Sequence, residues 1–442
     1  MSLENRPAAV GAPPPIPRNF FQYIKGFGPG LVVVLTWLGA GDLVDSATAG
    51  SNYGYALMWG LAVSLLLRFF IVNVIGRYQL CNPYGETVMS AFKRIHKAVP
   101  ILLGAVALLF GHIYSSYVIK GMGESFHDLV MGFGPAWFWS IAWATVIGII
   151  AFSGKFNRVI RIFYVSLALL SISLIGIAVA SRPDAGQMVR GTFMFEMPAD
   201  KGGFSAMLIV VSLIGAVVGS IANLLYPYFI QQKGWKGPQY RRVQLYDLLF
   251  GIMVLIVLDL SVWIVGAELL HPQGITIRGI DDLARLLTVA LGKYGAPVFY
   301  LGVFATLFNS QSGSTVGYGY MVCDIIHKIK TNEKQPLDRD KVGALLTYKL
   351  VALWCLVSPL IWLLPGMPDF ITLTILGNAA GAIVFPVVAL PLWAITAHPK
   401  FIGAKYKNKF WENVLIAMMI VAGFVVSYHS LVQIVAKVTR MF

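Results

Sequence analysis

Two aspartates three residues apart, Asp42 and Asp45, lie in an otherwise apolar, glycine-rich run, Gly39-Ala40-Gly41-Asp42-Leu43-Val44-Asp45-Ser46. At this spacing two side chains share nearly one helix face. A carboxylate inside a membrane needs a cation, a partner group or water. Close helix packing does not call for one, so Asp42 reads as a functional residue. Asp45 stays open between a second ligand, a group that supports the ligands from behind, and an acid in an entry vestibule. A second interruption follows at Gly215-Ala216-Val217-Val218-Gly219-Ser220-Ile221-Ala222-Asn223, with Pro227 one turn later. Glycine lowers helix propensity and admits unusual dihedrals. Unwound backbone inside a membrane is tolerated where it lines a cavity, and there its carbonyls can bind a cation. Glycines alone would also serve close helix contact; the carboxylate is what favours a site.

Other polar groups are less specific. His112 fits a proton relay or a hydrogen-bonded packing histidine. Asp259 fits a functional acid or a structurally paired one. Asn378, in Gly377-Asn378-Ala379-Ala380-Gly381, could face a cavity or bond a neighbouring helix. Gln311 sits in the polar run Asn309-Ser310-Gln311-Ser312-Gly313-Ser314-Thr315, which suits a water-lined or tightly packed segment better than a ligand set.

The elements that must position these residues are long apolar helices. Of the 442 residues 57% are hydrophobic and 12% charged, against about a quarter charged in soluble domains. Apolar spans run at roughly 29–50, 56–79, 99–120, 137–153, 159–180, 204–231, 245–268, 291–320, 343–363, 370–396 and 413–437, each near the ~20 residues a crossing helix needs. No hydrophilic stretch is long enough for a second domain. Residues 1–28 read as a disordered tail and 29–442 as one transmembrane domain. Its halves are 29–180 and 204–396, followed by an eleventh helix at 413–437. Interrupted spans in matching positions of two five-helix halves point to an inverted-repeat transporter.

The net charge of +14 would suggest nucleic acid in a soluble protein. Here the cations concentrate on alternate connections: Arg6, Arg18 and Lys25; Lys93, Arg94 and Lys97; Lys155, Arg158 and Arg161; Lys233, Lys236, Arg241 and Arg242; Lys328 to Lys341; Lys400 to Lys409. This positive-inside pattern predicts a multi-pass inner-membrane protein with a cytoplasmic N-terminus and an external C-terminus, and no nucleic-acid partner. Cys81, Cys323 and Cys355 form no CxxC pair, so neither a disulfide framework nor a zinc site is signalled. Residues 1–18 lack the apolar stretch of a signal peptide. No HExxH, GxSxG or P-loop pattern occurs, which argues against an enzyme; no cofactor is expected, and a monomer is.

Three stretches resemble the Nramp divalent-metal transporters: Gly28-Pro29-Gly30 through Ala49-Gly50-Ser51-Asn52-Tyr53-Gly54-Tyr55 to Trp59; Gly154-Lys155-Phe156-Asn157-Arg158-Val159-Ile160 with Arg182-Pro183-Asp184; and Gln311-Ser312-Gly313-Ser314-Thr315. The similarity runs in one order over most of the chain. It implies a LeuT-type fold, all-α and polytopic, with two inverted five-helix repeats, broken first and sixth helices and one extra C-terminal helix: eleven transmembrane helices. It also implies a metal site, from which this chain departs. The family's Asp-Pro-Gly-Asn at the first break is replaced by Gly39-Ala40-Gly41-Asp42. At the sixth break the family's Met ligand aligns with Gly219, or with Ser220 if one residue is gapped so that Asn223 matches the family's Asn; the family's carbonyl ligand aligns with Ala216. No Met or His remains. The cavity Gln of the tenth helix aligns with Asn378. The third-helix acids associated with proton coupling are replaced by Gly111-His112-Ile113-Tyr114-Ser115-Ser116-Tyr117.

Thioether ligands suit softer metals, and an all-oxygen set suits Mg²⁺, Ca²⁺ or Mn²⁺. Mg²⁺ keeps several waters and is usually held by one or two carboxylates. The expected site is therefore Asp42 and Asp45 with Gly39, Ala216, Gly219, Ser220, Asn223 and Asn378. The expected cargo is partly hydrated Mg²⁺, with Mn²⁺ as an alternative, moved by alternating access without proton coupling, as in the Nramp-related magnesium branch. Two other readings stand beside it: a carrier of a small organic solute on the same fold, and a receptor-like homologue that transports nothing.

Overall fold

The structure is a computed structural model and describes residues 14–17, 22–23, 40–153, 156–331, 337 and 339–439. Most of the tail and residues 29–39 of the first span, Gly39 among them, lie outside the described residues.

The described chain is helical, with one isolated bridge between Lys201 and Phe204. In chain order the helices are α1 (Ala40–Tyr53), α2 (Met58–Cys81), α3 (Val88–Ile95), α4 (Ala98–Leu129), α5 (Ala136–Ser153), α6 (Phe156–Ala180), α7 (Ala185–Phe193), α8 (Ala206–Val217), α9 (Tyr226–Gln232), α10 (Arg241–Val265), α11 (Ile280–Leu291), α12 (Gly295–Thr331), α13 (Leu346–Val357), α14 (Phe370–Ala397) and α15 (Phe410–Thr439). Among the described residues eight helical segments are long and apolar enough to cross a membrane, and Ala136–Phe152 is a shorter apolar helix. Apart from the sixth, each expected span from the second onward overlaps one of the fifteen helices above, the fifth overlapping α6. The third is longer than its apolar core suggests, because polar residues continue α4 to Leu129.

The expected sixth span is two helices. α8 stops at Val217, Ser220 is extended (φ −63°, ψ 119°), a 3₁₀ turn covers Ile221–Leu225, and α9 restarts with Pro227 in its first turn. Proline is tolerated there because first-turn N–H groups lack intrahelical partners anyway. α8 packs on α14, and α1 packs on both of them and on α10. The contact between α8 and α14 is backbone on backbone: a Cβ on Gly215 would stand 2.0 Å from the Asn378 carbonyl oxygen, and one on Gly219 would stand 2.2 Å from that of Gly381. α4 and α12 close the other side, and α2 lies along α8.

Candidate metal centre

A cavity of about 40 Å³ opens where α1, α8 and α14 meet α4 and α12. Its lining includes Gly41, Asp42, Arg68, Tyr114, Tyr117, Ala216, Ser220, Ser314, Tyr318 and Asn378. About 10–15 Å³ of such space admits one water, so the cavity takes a few waters at most. Among the described residues no Met, His or Cys lines it. Among the described residues no three His, Cys, Asp or Glu side chains converge as a metal cluster. Among the described lining residues a cation held here would find one carboxylate and neutral oxygens.

That carboxylate is Asp42, in the first turn of α1 and 5% exposed. Its Oδ2 is buried with no hydrogen-bond partner. Asp45, one turn on, differs. Its Oδ1 accepts from the Ser212 hydroxyl on α8 (2.7 Å) and its Oδ2 from the Asn378 amide on α14 (2.9 Å). It is absent from the cavity lining and ties three helices together. Of the roles open for Asp45, the geometry matches support from behind.

Asn378 lines the cavity, yet both ends of its amide are engaged: Nδ2 on Asp45, and Oδ1 accepting from the Tyr117 hydroxyl at 3.1 Å. Gly41 has to be small beside it, since a Cβ there would lie 2.8 Å from Asn378 Nδ2. Ala216 and Ser220 border the cavity, whereas Gly219 is a close-packing glycine against Gly381. Asn223 turns back over the broken helix end. Its Nδ2 donates to the carbonyls of Val217 (3.3 Å) and Val218 (3.2 Å). The last carbonyls of a helix lack intrahelical partners, and a side-chain amide satisfies them here. Its Oδ1 is buried without a partner.

Arg68 is the residue the sequence reading passed over. It lies within the apolar run of α2, is 1% exposed, and donates from Nε to the Val217 carbonyl (2.7 Å) and from Nη2 to the Ala216 carbonyl (3.0 Å). The carbonyl expected to face a metal therefore already holds a guanidinium. Asp42 and Asp259 both lie within electrostatic reach of Arg68. Asp259, on α10, is 2% exposed and its Oδ2 has no hydrogen-bond partner. The signal was present: an intramembrane arginine is a functional candidate by default. Tyr114 and Tyr117 are on the α4 stretch that stands where the family has acids, and both line the cavity.

His112 is a packing histidine. Trp362 Nε1 donates to its Nε2 (3.0 Å), and its Nδ1 pairs with Ser358 Oγ (2.9 Å). The Ser358 hydroxyl already donates to the Trp354 carbonyl (2.6 Å), so the proton of that second bond belongs to Nδ1. Gln311 is packed as well, donating to Ser115, Thr315 and the Cys355 carbonyl.

A polytopic helical bundle with an interrupted sixth span and an acid buried beside that interruption defines a membrane carrier of the LeuT-type class. The model of the family "Natural resistance-associated macrophage protein-like" matches residues 30–433, and the chain belongs to this Nramp family. Curated relatives include a "Metal transporter nramp1 homolog" of Dictyostelium discoideum, 22% identical over 89% of this chain and 72% of its own length. Another is the "Divalent metal cation transporter MntH" of Bacillus subtilis, 21% identical over 92% of both. The Eremococcus coleocola manganese transporter superposes with a TM-score of 0.73 at 16% identity, covering 97% of this chain and 90% of that one. A Na⁺-coupled sialic acid symporter shares the fold at a TM-score of 0.56 and 14% identity, over 91% and 89% of the two chains.

Proposed function

We propose that this chain carries a divalent cation across the inner membrane by alternating access. It prefers Mg²⁺, accepts Mn²⁺, keeps part of the ion's water shell and does not couple to protons. The N-terminus is inside and the C-terminus outside. The observation that supports this most directly is the unpartnered Oδ2 of Asp42, buried in a cavity whose described lining residues offer oxygen donors and no sulfur or imidazole. Hard oxygen donors match Mg²⁺ and Mn²⁺. A site with one free carboxylate leaves most of the coordination to water and neutral oxygens. Tyr114 and Tyr117 in place of acids on α4 support transport without protons. Glu124 on that helix lies ten residues beyond Tyr114, about 15 Å along the axis.

The test is flux into proteoliposomes with an internal pH dye. Mg²⁺ uptake without acidification is the expected result. Mn²⁺ or Fe²⁺ uptake with proton influx and no Mg²⁺ flux would overturn the ion and the coupling, and cation flux undiminished in Asp42→Ala would overturn the site. Arg68 favours one second reading: a carboxylate and a guanidinium in one small cavity also suit a small zwitterionic solute. A thermal-shift screen of amino acids against Mg²⁺ and Mn²⁺ separates the two, since only the true cargo class should raise Tm.

A further inference from the structure

Arg68 poses a difficulty for any cation site at this place. Its Nε and Nη2 hold the carbonyls of Val217 and Ala216, the C-terminal end of α8, where the helix dipole is negative and a cation is stabilised. The guanidinium therefore sits where an incoming ion would gain most. It shares with Asp42 a cavity of about 40 Å³. An ion held by Asp42 would therefore lie directly against the guanidinium, with room for only a few waters between them. Two positive species would also repel strongly in so dry a place.

The molecule offers the guanidinium somewhere else to go. Asp259, on the neighbouring α10, lies within electrostatic reach of Arg68 and carries a buried Oδ2 with no hydrogen-bond partner. A carboxylate oxygen in this state is costly unless something takes it up. No other role in the site accounts for Asp259.

We propose that Arg68 is a tethered counter-cation. In the ion-free protein it occupies the Ala216 and Val217 carbonyls and balances Asp42; an arriving divalent cation displaces it, and it then pairs with Asp259. The exchange rests on the divalent-cation reading above and adds to it a rule for affinity. The site never faces the membrane interior as a bare anion, and the ion binds only as tightly as it outcompetes the guanidinium. Loose binding of this kind suits a carrier, which must also release its cargo.

The test is calorimetric titration of Mn²⁺ and Mg²⁺ into the purified full chain at fixed pH, with size-exclusion profiles as the folding control. Arg68→Met removes the competitor and should tighten Mn²⁺ binding at least tenfold. Arg68→Gln, which keeps an N–H donor for the carbonyls without the charge, should do the same and serves if the Met variant aggregates. Arg68→Lys keeps the charge and should stay within threefold of the wild type. Asp259→Asn removes the alternative partner and should weaken binding at least threefold, but change it less than twofold in the Arg68→Met background. A merely structural arginine would give weaker binding, or none, in every variant. If the wild type binds, Asp42→Asn abolishes binding and Arg68→Met or Arg68→Gln does not tighten it, the exchange is wrong and the cation site stands. If neither wild type nor Arg68→Met binds either ion, both fall together.

Discussion

Asp324 and Asp42 are both buried carboxylates with a cation nearby, and their surroundings treat them differently. On α12, Asp324 Oδ2 accepts from the Tyr228 hydroxyl at 2.7 Å and from Lys328 Nζ one turn away, both chain positions almost wholly buried. The Lys93 ammonium in turn holds the Lys328 carbonyl. Donor and acceptor face each other on one rigid helix, so the pair has little to exchange. Each acid keeps one buried oxygen without a hydrogen-bond partner, Asp324 Oδ1 and Asp42 Oδ2; the difference is that Asp42 and Arg68 stand on different helices and the guanidinium holds the carbonyls of Val217 and Ala216. The contrast is between a buried ion pair closed within one helix and two buried charges brought together from two helices.

The largest expected effect falls on the fixed pair. Lys328→Met leaves Asp324 without its cation, which costs about 3–5 kcal/mol for a buried pair; the Tm should drop steeply, and Asp324→Leu in the same chain should recover most of it. If Lys328→Met left Tm unchanged, the two regions would not differ in kind. Next comes Asp42→Asn. It should weaken Mn²⁺ and Mg²⁺ binding at least 100-fold, about 2.8 kcal/mol, with Tm lowered less than in Lys328→Met because Asp259 remains within electrostatic reach of Arg68. A drop in Tm as large as that of Lys328→Met would make Asp42 structural. Gly215→Ala forces α8 from the Asn378 carbonyl and should cost about 1–3 kcal/mol by overpacking, read as a lower Tm with weaker ion binding.

The smallest effect is expected far from both clusters, at Asp184. Its carboxylate caps α7, accepting from Gln187 N–H, the Gln187 side chain and Gly186 N–H, and these bonds hold its pKa below the usual 3.8. A depressed carboxylate stabilises the fold above its unfolded pKa and loses that contribution as pH falls through the folded value. Asp184→Ala should therefore lower Tm slightly at neutral pH, and the difference should vanish in acid. A difference that persisted in acid would mean the side chain acts by packing.

Much of this was legible in the chain. Span lengths follow from the bilayer's thickness, and the sixth-span break from two glycines, a serine and a proline. Asp42, Ala216, Ser220 and Asn378, far apart in the chain, line one cavity. The division of labour between Asp42 and Asp45 was not legible, because spacing places them on one face without saying that Ser212 and Asn378 arrive from two other helices. Gly219 illustrates a second limit: a glycine in a break and a glycine under a neighbouring carbonyl look alike in sequence. Arg68 illustrates a third. Its meaning lies in two carbonyls about 150 residues away, and only the packing of α2 along α8 brings them within reach.

The glycine contact between α8 and α14 has a mechanical consequence. With Gly215 and Gly219 set against the backbone of Asn378 and Gly381, the two helices meet without the spacing that side chains would keep between them. A displacement of either one there is felt directly by the other's main chain. The tether from Asn378 to Asp45 extends that coupling to α1.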